Sequence, residues 1–325
     1  MTIGIPRALF YFKRPIFWKV FFEALGSKVI LSPNTNKEIV EMGVRFSDPE
    51  NCFSIKVFFG HLLWLDKNRK NSSDKIDFIF VPRLKTNEEK LEYCLKFFAL
   101  PDLAKNLIKT PILSQEFDSR KENFEKSLQK LTIKIGRKKD ETKKAFLKAI
   151  FIENEDREII KKKFLEKINS RKRKIILISH NYNLYDEYIN VRISDKLKEL
   201  GTQPIFINEV FAKNNGNKKD SYNDDYFMKF HWEFGKEIME NIKKILNYHI
   251  NSQSFLNAKK ENKNYISGAI EISSFQCGCD AVLKEFVEEK FKKLKIPFLY
   301  LVVDDQTGDA GVKTRIEAFI DTLPQ

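Results

Sequence analysis

KIILISHNYNLYD, residues 174–186, decides the fold. Ile175, Ile176, Leu177 and Ile178 form an apolar run with no alternation, the pattern of a strand covered on both faces of a parallel sheet. HNYNLYD reads as the loop that follows it. Ile189, Ile193, Leu197 and Leu200 then recur at helical spacing, and Gly201 stops the helix. PIFI, residues 204–207, is the next strand. Strand, helix, strand makes a βαβ unit, the start of an α/β domain.

The same alternation continues towards both ends of the chain. Upstream, TIGIP (2–6) is a short strand. Pro15 opens a helix with Ile16, Phe17, Val20, Phe21, Ala24 and Leu25 on one face, and Gly26 closes it. KVILS (28–32) is a strand, and Asn34-Thr35-Asn36 caps a short helix carrying Ile39, Val40 and Met42. From Cys52 to Leu65 a helix turns Val57, Phe58, His61 and Leu62 inward. IDFIFVP (76–82) is a buried parallel strand. Downstream, a polar surface loop is expected over 214–225 and a helix over about 234–247. YISGAIEISS (265–274) is a strand, and Ala281 to Leu294 a helix with Val282, Leu283, Phe286, Val287 and Phe291 inward. IPFLYLVV (296–303) is a buried strand, and the last helix buries Val312, Ile316, Phe319 and Ile320. The expected architecture is α/β, with two Rossmann/flavodoxin-like lobes of mostly parallel sheet joined by a basic helical connector.

The boundaries expected are an N-terminal lobe over 1–118 with Cys52 and Cys94, a connector over 119–172, and a C-terminal lobe over 173–325 with Cys277 and Cys279. Phe124, Leu128 and Leu131 recur at helical spacing in the connector. So do Ala145, Leu147, Ile150 and Phe151, then Ile160, Phe164 and Ile168; LTIKI (131–135) is its one brief strand signal. Between Arg120 and Lys174 twenty Lys and Arg face nine Asp and Glu, so most of the net charge of +13 sits there. Interleaved acids and the lack of a nucleic-acid motif argue against nucleic acid as the partner. An acidic partner or the phosphates of CoA suit such a surface as well.

A hydrophobic fraction of 42% excludes a disordered chain. The start, MTIGIPRALFYFKRPIFW, is broken by Arg7, Lys13 and Arg14, unlike a signal peptide. No run reaches the roughly 18 apolar residues that span a bilayer. A cytoplasmic location is therefore expected. The four cysteines are too few for a disulfide framework and lack the C-x-x-C spacing of zinc ribbons and ferredoxins.

Taken singly, each cysteine reads as a small buried hydrophobe. Their places in the pattern add a second reading. Cys52 follows a polar turn at a helix start, Cys277 follows a strand, and Cys94 lies after IDFIFVP. Open α/β sheets bind ligands outside the carboxyl ends of their strands, so three cysteines from separate crossovers can converge. Such a thiolate set suits iron–sulfur better than zinc. Cys279 is either a fourth ligand or a neighbour of the group, and Gly278 allows close backbone approach. His61 is a core histidine or a hydrogen-bond donor near such a group, and His180, at a strand end, is a candidate polar contact. Lys56 and Arg7 are candidate anion contacts. GDAG (308–311) is a poor phosphate loop, because Asp304, Asp305 and Asp309 crowd it.

These residues also carry a resemblance. IGIPR (3–7), FWKVFFEALG (17–26), SPNTN (32–36), Cys52 with Lys56 and Gly60-His61, EYCLKF (92–97), HNYNLYD, SSFQCG (273–278) with Asp280, and DDQTGDAG (304–311) follow in one order. Together they resemble the 2-hydroxyacyl-CoA dehydratase-related proteins, the 2-hydroxyglutaryl-CoA dehydratase subunit-like and acyl-CoA dehydratase activase-associated family. The resemblance runs almost end to end and is weakest over the connector and residues 211–230. It implies oxygen-sensitive iron–sulfur proteins of two α/β lobes, with a [4Fe-4S] cluster or a larger iron–sulfur cluster between them. Three cysteines would hold it, here Cys52, Cys94 and Cys277. It implies as partners an ATP-dependent iron–sulfur activator that donates a low-potential electron, a homologous subunit, and a CoA thioester. It leaves open a lyase, a reductase component, or a non-catalytic electron-transfer or scaffold role. A zinc-stabilised scaffold and a basic nucleic-acid binder are the alternatives. Ser54, the loop SHNYN and Asp305-Gln306 depart from the family pattern, on the side where substrate would be recognised.

Overall fold

The computed structural model of the chain describes residues 1–68, 75–88, 91–210, 231–256 and 265–323. The polar stretch 214–225 lies outside the described residues. The chain divides into two compact units: Met1–Arg157 with His231–Glu233, and Glu158–Phe230 with Phe234–Gln325.

The first unit contains β1 (Thr2–Ile5), α1 (Pro15–Ala24), β2 (Lys28–Leu31), α2 (Lys37–Phe46), α3 (Phe53–Asn68), β3 (Phe78–Phe80), β4 (Arg83–Thr86), α4 (Leu95–Leu107), β5 (Ile112–Leu113), β6 (Glu116–Asp118) and α5 (Phe124–Ile133). The long helix α6 (Lys139–Ile168) starts here and runs past the dividing line. Its main sheet has the order β2-β1-β3-β5 and is parallel throughout. Ile3 and Ile5 on the inner strand β1 are fully buried. β4 and β6 form a separate parallel pair.

The core of this unit is aromatic. Trp18 lies 4.6 Å and Phe22 5.0 Å from Phe80, centroid to centroid. The inner face of α1 is therefore rotated from the expected one. Trp18 and Phe22 point in with Phe17 and Phe21, whereas Ala24 is exposed and Val20 half-buried. The larger rings remove more area from water and set the rotation. The inner face of α3 is as expected: Val57, Phe58, His61 and Leu62 are fully buried. Asn36 caps α2 by accepting from the Ile39 amide at 3.1 Å.

LTIKI is not a strand. Leu131, Thr132 and Ile133 end α5, which Asn123 caps from its start, and the Thr132 hydroxyl is held by Thr142 at 2.6 Å. Five residues of β-branched signal do not outweigh an amphipathic helix already under way. In α6, Ala145 and Ala149 take the inner face, and Leu147 and Phe151 are exposed.

The second unit contains β7 (Lys174–Ile178), α7 (Asn181–Leu184), α8 (Ile193–Glu199), β8 (Gln203–Phe206), α9 (Glu233–Leu256, its first residue counted with the first unit), β9 (Ile266–Ser274), α10 (Gly278–Lys293), β10 (Phe298–Val303) and α11 (Asp309–Asp321). Its sheet has the order β10-β9-β7-β8, again parallel throughout. β7 and β9 are buried along their whole length; β7 is apolar after Lys174, whereas β9 buries Ser267, Glu271, Ser273 and Ser274 among its apolar residues. HNYNLYD is not simply a loop, since four of its residues form α7. Val282 of α10 is exposed, while Leu283, Val287 and Phe291 are buried as expected.

In chain order, both main sheets run second, first, third, fourth. Each is an α/β sheet with its connections leaving in opposite directions on either side of the first strand. That creates a switch point between the first and third strands, where open sheets bind ligands. No helix among the described residues is long and apolar enough to cross a membrane.

Candidate functional site

The switch point of the second unit lies between β7 and β9, and the predicted residues His180 and Cys277 follow these two strands. After β9 the chain turns sharply, with the Cys277 amide donating to the Ser274 carbonyl at 2.9 Å. Gln276 inside the turn has a φ of 63°, a region that favours glycine. The turn sets Cys277 at the head of α10, where its carbonyl accepts from the Ala281 amide at 3.1 Å. The positive end of a helix dipole stabilises a thiolate there.

His180 Nε2 meets Asp280 Oδ1 at 2.7 Å, with both side chains buried. The other Asp280 oxygen accepts from the Ser274 amide at 3.1 Å. The imidazole stacks on Tyr182 and meets the edge of Phe234. Burial alone would push the His180 pKa down, but the charge and hydrogen bond of Asp280 outweigh it and raise it. The Cys277 thiol is lowered to about 7, chiefly by hydrogen bonding with Cys279 and further by His180, against burial and the Asp280 charge. Donor atoms of His180, Cys277 and Asp280 all lie within 4.8 Å of one another. Two buried atoms here have no hydrogen-bond partner, His180 Nδ1 and Glu271 Oε2. Burial first, then the Asp280 charge, raises the Glu271 carboxyl well above its ordinary pKa.

Cys52 and Cys94 belong to the first unit and also stand at helix heads. The Cys52 carbonyl accepts from the Ile55 amide at 2.9 Å and the Lys56 amide at 3.2 Å, opening α3. Cys94 caps α4, its carbonyl accepting from the Phe97 amide at 2.9 Å. None of the four cysteines is in a disulfide, and all are half-buried. Each of the three expected ligands thus occupies the same electrostatic setting, the amino end of a helix of 13 or 16 residues.

The structure gathers Cys277, Cys279 and His180 around Asp280, a residue that site reasoning from the sequence did not weigh. Its place three residues after Cys277, the spacing of a residue that reaches back over a helix start, was the available signal. Gly278 opens α10, and a side chain there would meet nothing within 4 Å, so the chain's own packing does not demand glycine. Arg7 and His61 lie in the first unit. The Arg7 amide donates to Ser32 Oγ at 2.7 Å, and its guanidinium Nη1 donates to the Asn34 side-chain oxygen. His61 Nε2 is 2.9 Å from Thr35 Oγ1. Burial, then the Arg7 charge, holds the His61 pKa down to about 3. Lys56 is half-buried on α3.

The first unit also has a cavity of about 640 Å³ between Phe10, Trp18, Phe117 and Phe124 and a rim that includes Lys13, Arg14 and Arg120. Those three cations are already paired, with Glu233, Glu153 and Asp118. Those three cations therefore bring little uncompensated charge to the cavity.

Fold and site together define a protein of two parallel α/β units with its cysteines at helix heads. Residues 2–210 match the family described as CoA enzyme activase uncharacterised domain, and the chain belongs to that family. No curated protein sequence matches the chain.

Proposed function

We propose that the chain is an iron–sulfur redox component of a CoA-thioester system, with Cys52, Cys94 and Cys277 as the thiolate ligands. Family membership supports the CoA-enzyme setting. One observation carries the cluster reading. The thiol expected as a ligand from the second unit heads a helix, and hydrogen bonding with Cys279 lowers it to about 7. A thiolate is what iron coordination needs.

A four-iron cluster would supply one-electron chemistry at low potential. The chain's own residues do the rest. The amino ends of α3, α4 and α10 offset negative charge on their cysteines. Asp280 fixes the ring of His180, and His180 in turn helps hold Cys277 anionic. Hydrogen bonds to ligand sulfurs tune the potential of such centres. The electron would come from an ATP-dependent activator protein, and the downstream step is dehydration or reduction of a CoA thioester, or relay of the electron to a catalytic subunit.

A second reading rests on the trio itself. Sulfur, nitrogen and oxygen donors from Cys277, His180 and Asp280 within 4.8 Å suit a single zinc ion. Its cost is loss of the 2.7 Å His180–Asp280 bond.

Anaerobic purification, cluster reconstitution, and iron, sulfide and zinc analysis decide between the two. Iron with sulfide and an electron-spin signal on reduction, lost in Cys277→Ala, is the expected result. A colourless protein that takes no iron overturns the cluster reading, and one equivalent of zinc establishes the second.

A further inference from the structure

The arginines of the first unit give a comparison within one molecule. Arg14 holds Glu153 with two atoms of one edge, Nε at 2.7 Å and Nη2 at 2.5 Å. Arg120 holds Asp118 with the same edge, Nε at 2.9 Å and Nη2 at 3.0 Å. That edge is the fork by which a guanidinium grips a carboxylate or a phosphate. Arg7 uses its other terminal nitrogen, Nη1, on Asn34. Its Nε is buried and has no hydrogen-bond partner. No carboxylate among the described residues pairs with it, and Nη2 has no partner there either.

A second orphan lies in the same neighbourhood. His61 is fully buried, its Nε2 is satisfied by Thr35, and its Nδ1 has no partner. Among the described residues, Arg7 is the charge that acts on it. The ring is neutral at ordinary pH, so one of its nitrogens carries a hydrogen and the other accepts. In the tautomer that carries its hydrogen on Nδ1, Thr35 donates to Nε2 and the Nδ1–H is left to donate. Buried donors without acceptors are costly and are normally met by something.

Position supports the same conclusion. Arg7 is the second residue past β1, at the switch point of the first unit, and Asn34 and Thr35 follow β2. Such loops are where open parallel sheets receive ligands.

We propose that Arg7, with Asn34, Thr35 and His61, forms an oxyanion site at the carboxyl end of the first sheet, taking a carboxylate or a phosphate group on the free fork of Arg7. The positive charge comes from Arg7 alone, and His61 contributes a neutral donor. The site needs no metal, so it stands or falls separately from the cluster reading.

The test uses the purified, metal-free full chain in chloride buffer. Inorganic phosphate and succinate are titrated separately by calorimetry against wild type, Arg7→Gln, Arg7→Lys and His61→Gln. Saturable binding of at least one anion is expected, about tenfold or more weaker in Arg7→Gln and only partly restored in Arg7→Lys, which keeps the charge but not the fork. His61→Gln is expected to weaken it by a smaller factor. Preference for phosphate assigns a phosphorylated ligand, and preference for succinate a carboxylated one. Absence of saturable binding for both anions overturns the site, as does unchanged binding in a folded Arg7→Gln. Should Arg7→Gln not fold, wild type decides: the anion must protect Arg7 from phenylglyoxal, read by peptide mass, and lack of protection overturns the proposal.

Discussion

Arg7 and His180 occupy equivalent places in the two units. Each is the second residue past the first strand of a parallel sheet whose strands run second, first, third, fourth. One fold position thus carries a cationic or ionisable side chain twice, with opposite provision around it. His180 has the buried carboxylate of Asp280 against it, whereas the hydrogen-bond partners of Arg7 among the described residues, Ser32 and Asn34, are neutral.

The His180–Asp280 pair makes a first prediction. Removing one member of a buried ion pair leaves the other uncompensated, which costs about 3–5 kcal/mol. Asp280→Ala should therefore lower the stability of the metal-free chain by that order in urea unfolding. Asp280→Asn, which can still accept from the Ser274 amide, should cost less. Equal stabilities for wild type and Asp280→Ala would show that the pair contributes nothing to folding.

The two histidines give opposite pH dependences. His61 is held down to about 3 in the folded chain by burial and by Arg7, against 6.5 for an unperturbed ring. The unfolded chain therefore binds a proton that the folded chain refuses between those values. Stability should fall as pH drops from about 6.5 towards 3, by at most about 1.4 kcal/mol per unit from this group. His180 is raised, so its contribution is complete below about 6.5 and declines as pH rises. Unfolding midpoints of His61→Gln and His180→Gln across pH 4 to 9, an interval set around the unperturbed histidine value, check both. His61→Gln must flatten the acid limb and His180→Gln the alkaline one.

Gly43 and Gly60 fix where His61 sits. A Cβ on Gly43 would lie 1.9 Å from the Lys56 carbonyl oxygen, and one on Gly60 would lie 1.9 Å from that of Ile39. Each glycine thus admits the other helix's backbone. Either alanine substitution must push α2 and α3 apart, at a cost of about 3 kcal/mol, the upper range for overpacking. Thermal midpoints and the His61 ring signals by nuclear magnetic resonance test this. Near-wild-type stability in both variants would mean that the two helices do not cross this closely.

Much of this was legible in the sequence, for definite reasons. A strand covered on both faces is a continuous apolar run, so β7 announced itself; β10 has the same kind of run but lies at the sheet edge, where only Leu301 and Val303 are buried and Val302 is exposed. Asn36 and Pro15 marked helix starts by side-chain chemistry that acts within three residues. Pro101 inside α4 hid that helix, since a proline normally ends one. The α1 face was misjudged because spacing alone does not weigh Trp18 above Ala24. Histidine, cysteine and arginine positions were readable as candidates, but their partners were not. Asp280 finds His180 across 100 residues and Asn34 finds Arg7 across 27, contacts that only the sheet order creates.

Cys279 provides the last prediction. Its hydrogen bond with Cys277 is the largest influence lowering that thiol to about 7 from an ordinary 9.0. A serine at 279 keeps a donor hydroxyl, whereas an alanine removes it. In the metal-free chain at neutral pH, Cys279→Ala should slow iodoacetamide alkylation of Cys277 by about tenfold, because the thiolate fraction falls with rising pKa. Cys279→Ser should stay within a few-fold of wild type. The rate is read at the Cys277 peptide by mass spectrometry, which separates it from Cys52 and Cys94. An unchanged rate in Cys279→Ala would remove Cys279 from the support of Cys277. Under anaerobic reconstitution the same pair of variants then separates ligand from neighbour: a ligand's loss lowers bound iron in both, and a neighbour's loss shifts only the reduction potential, and only in the alanine variant.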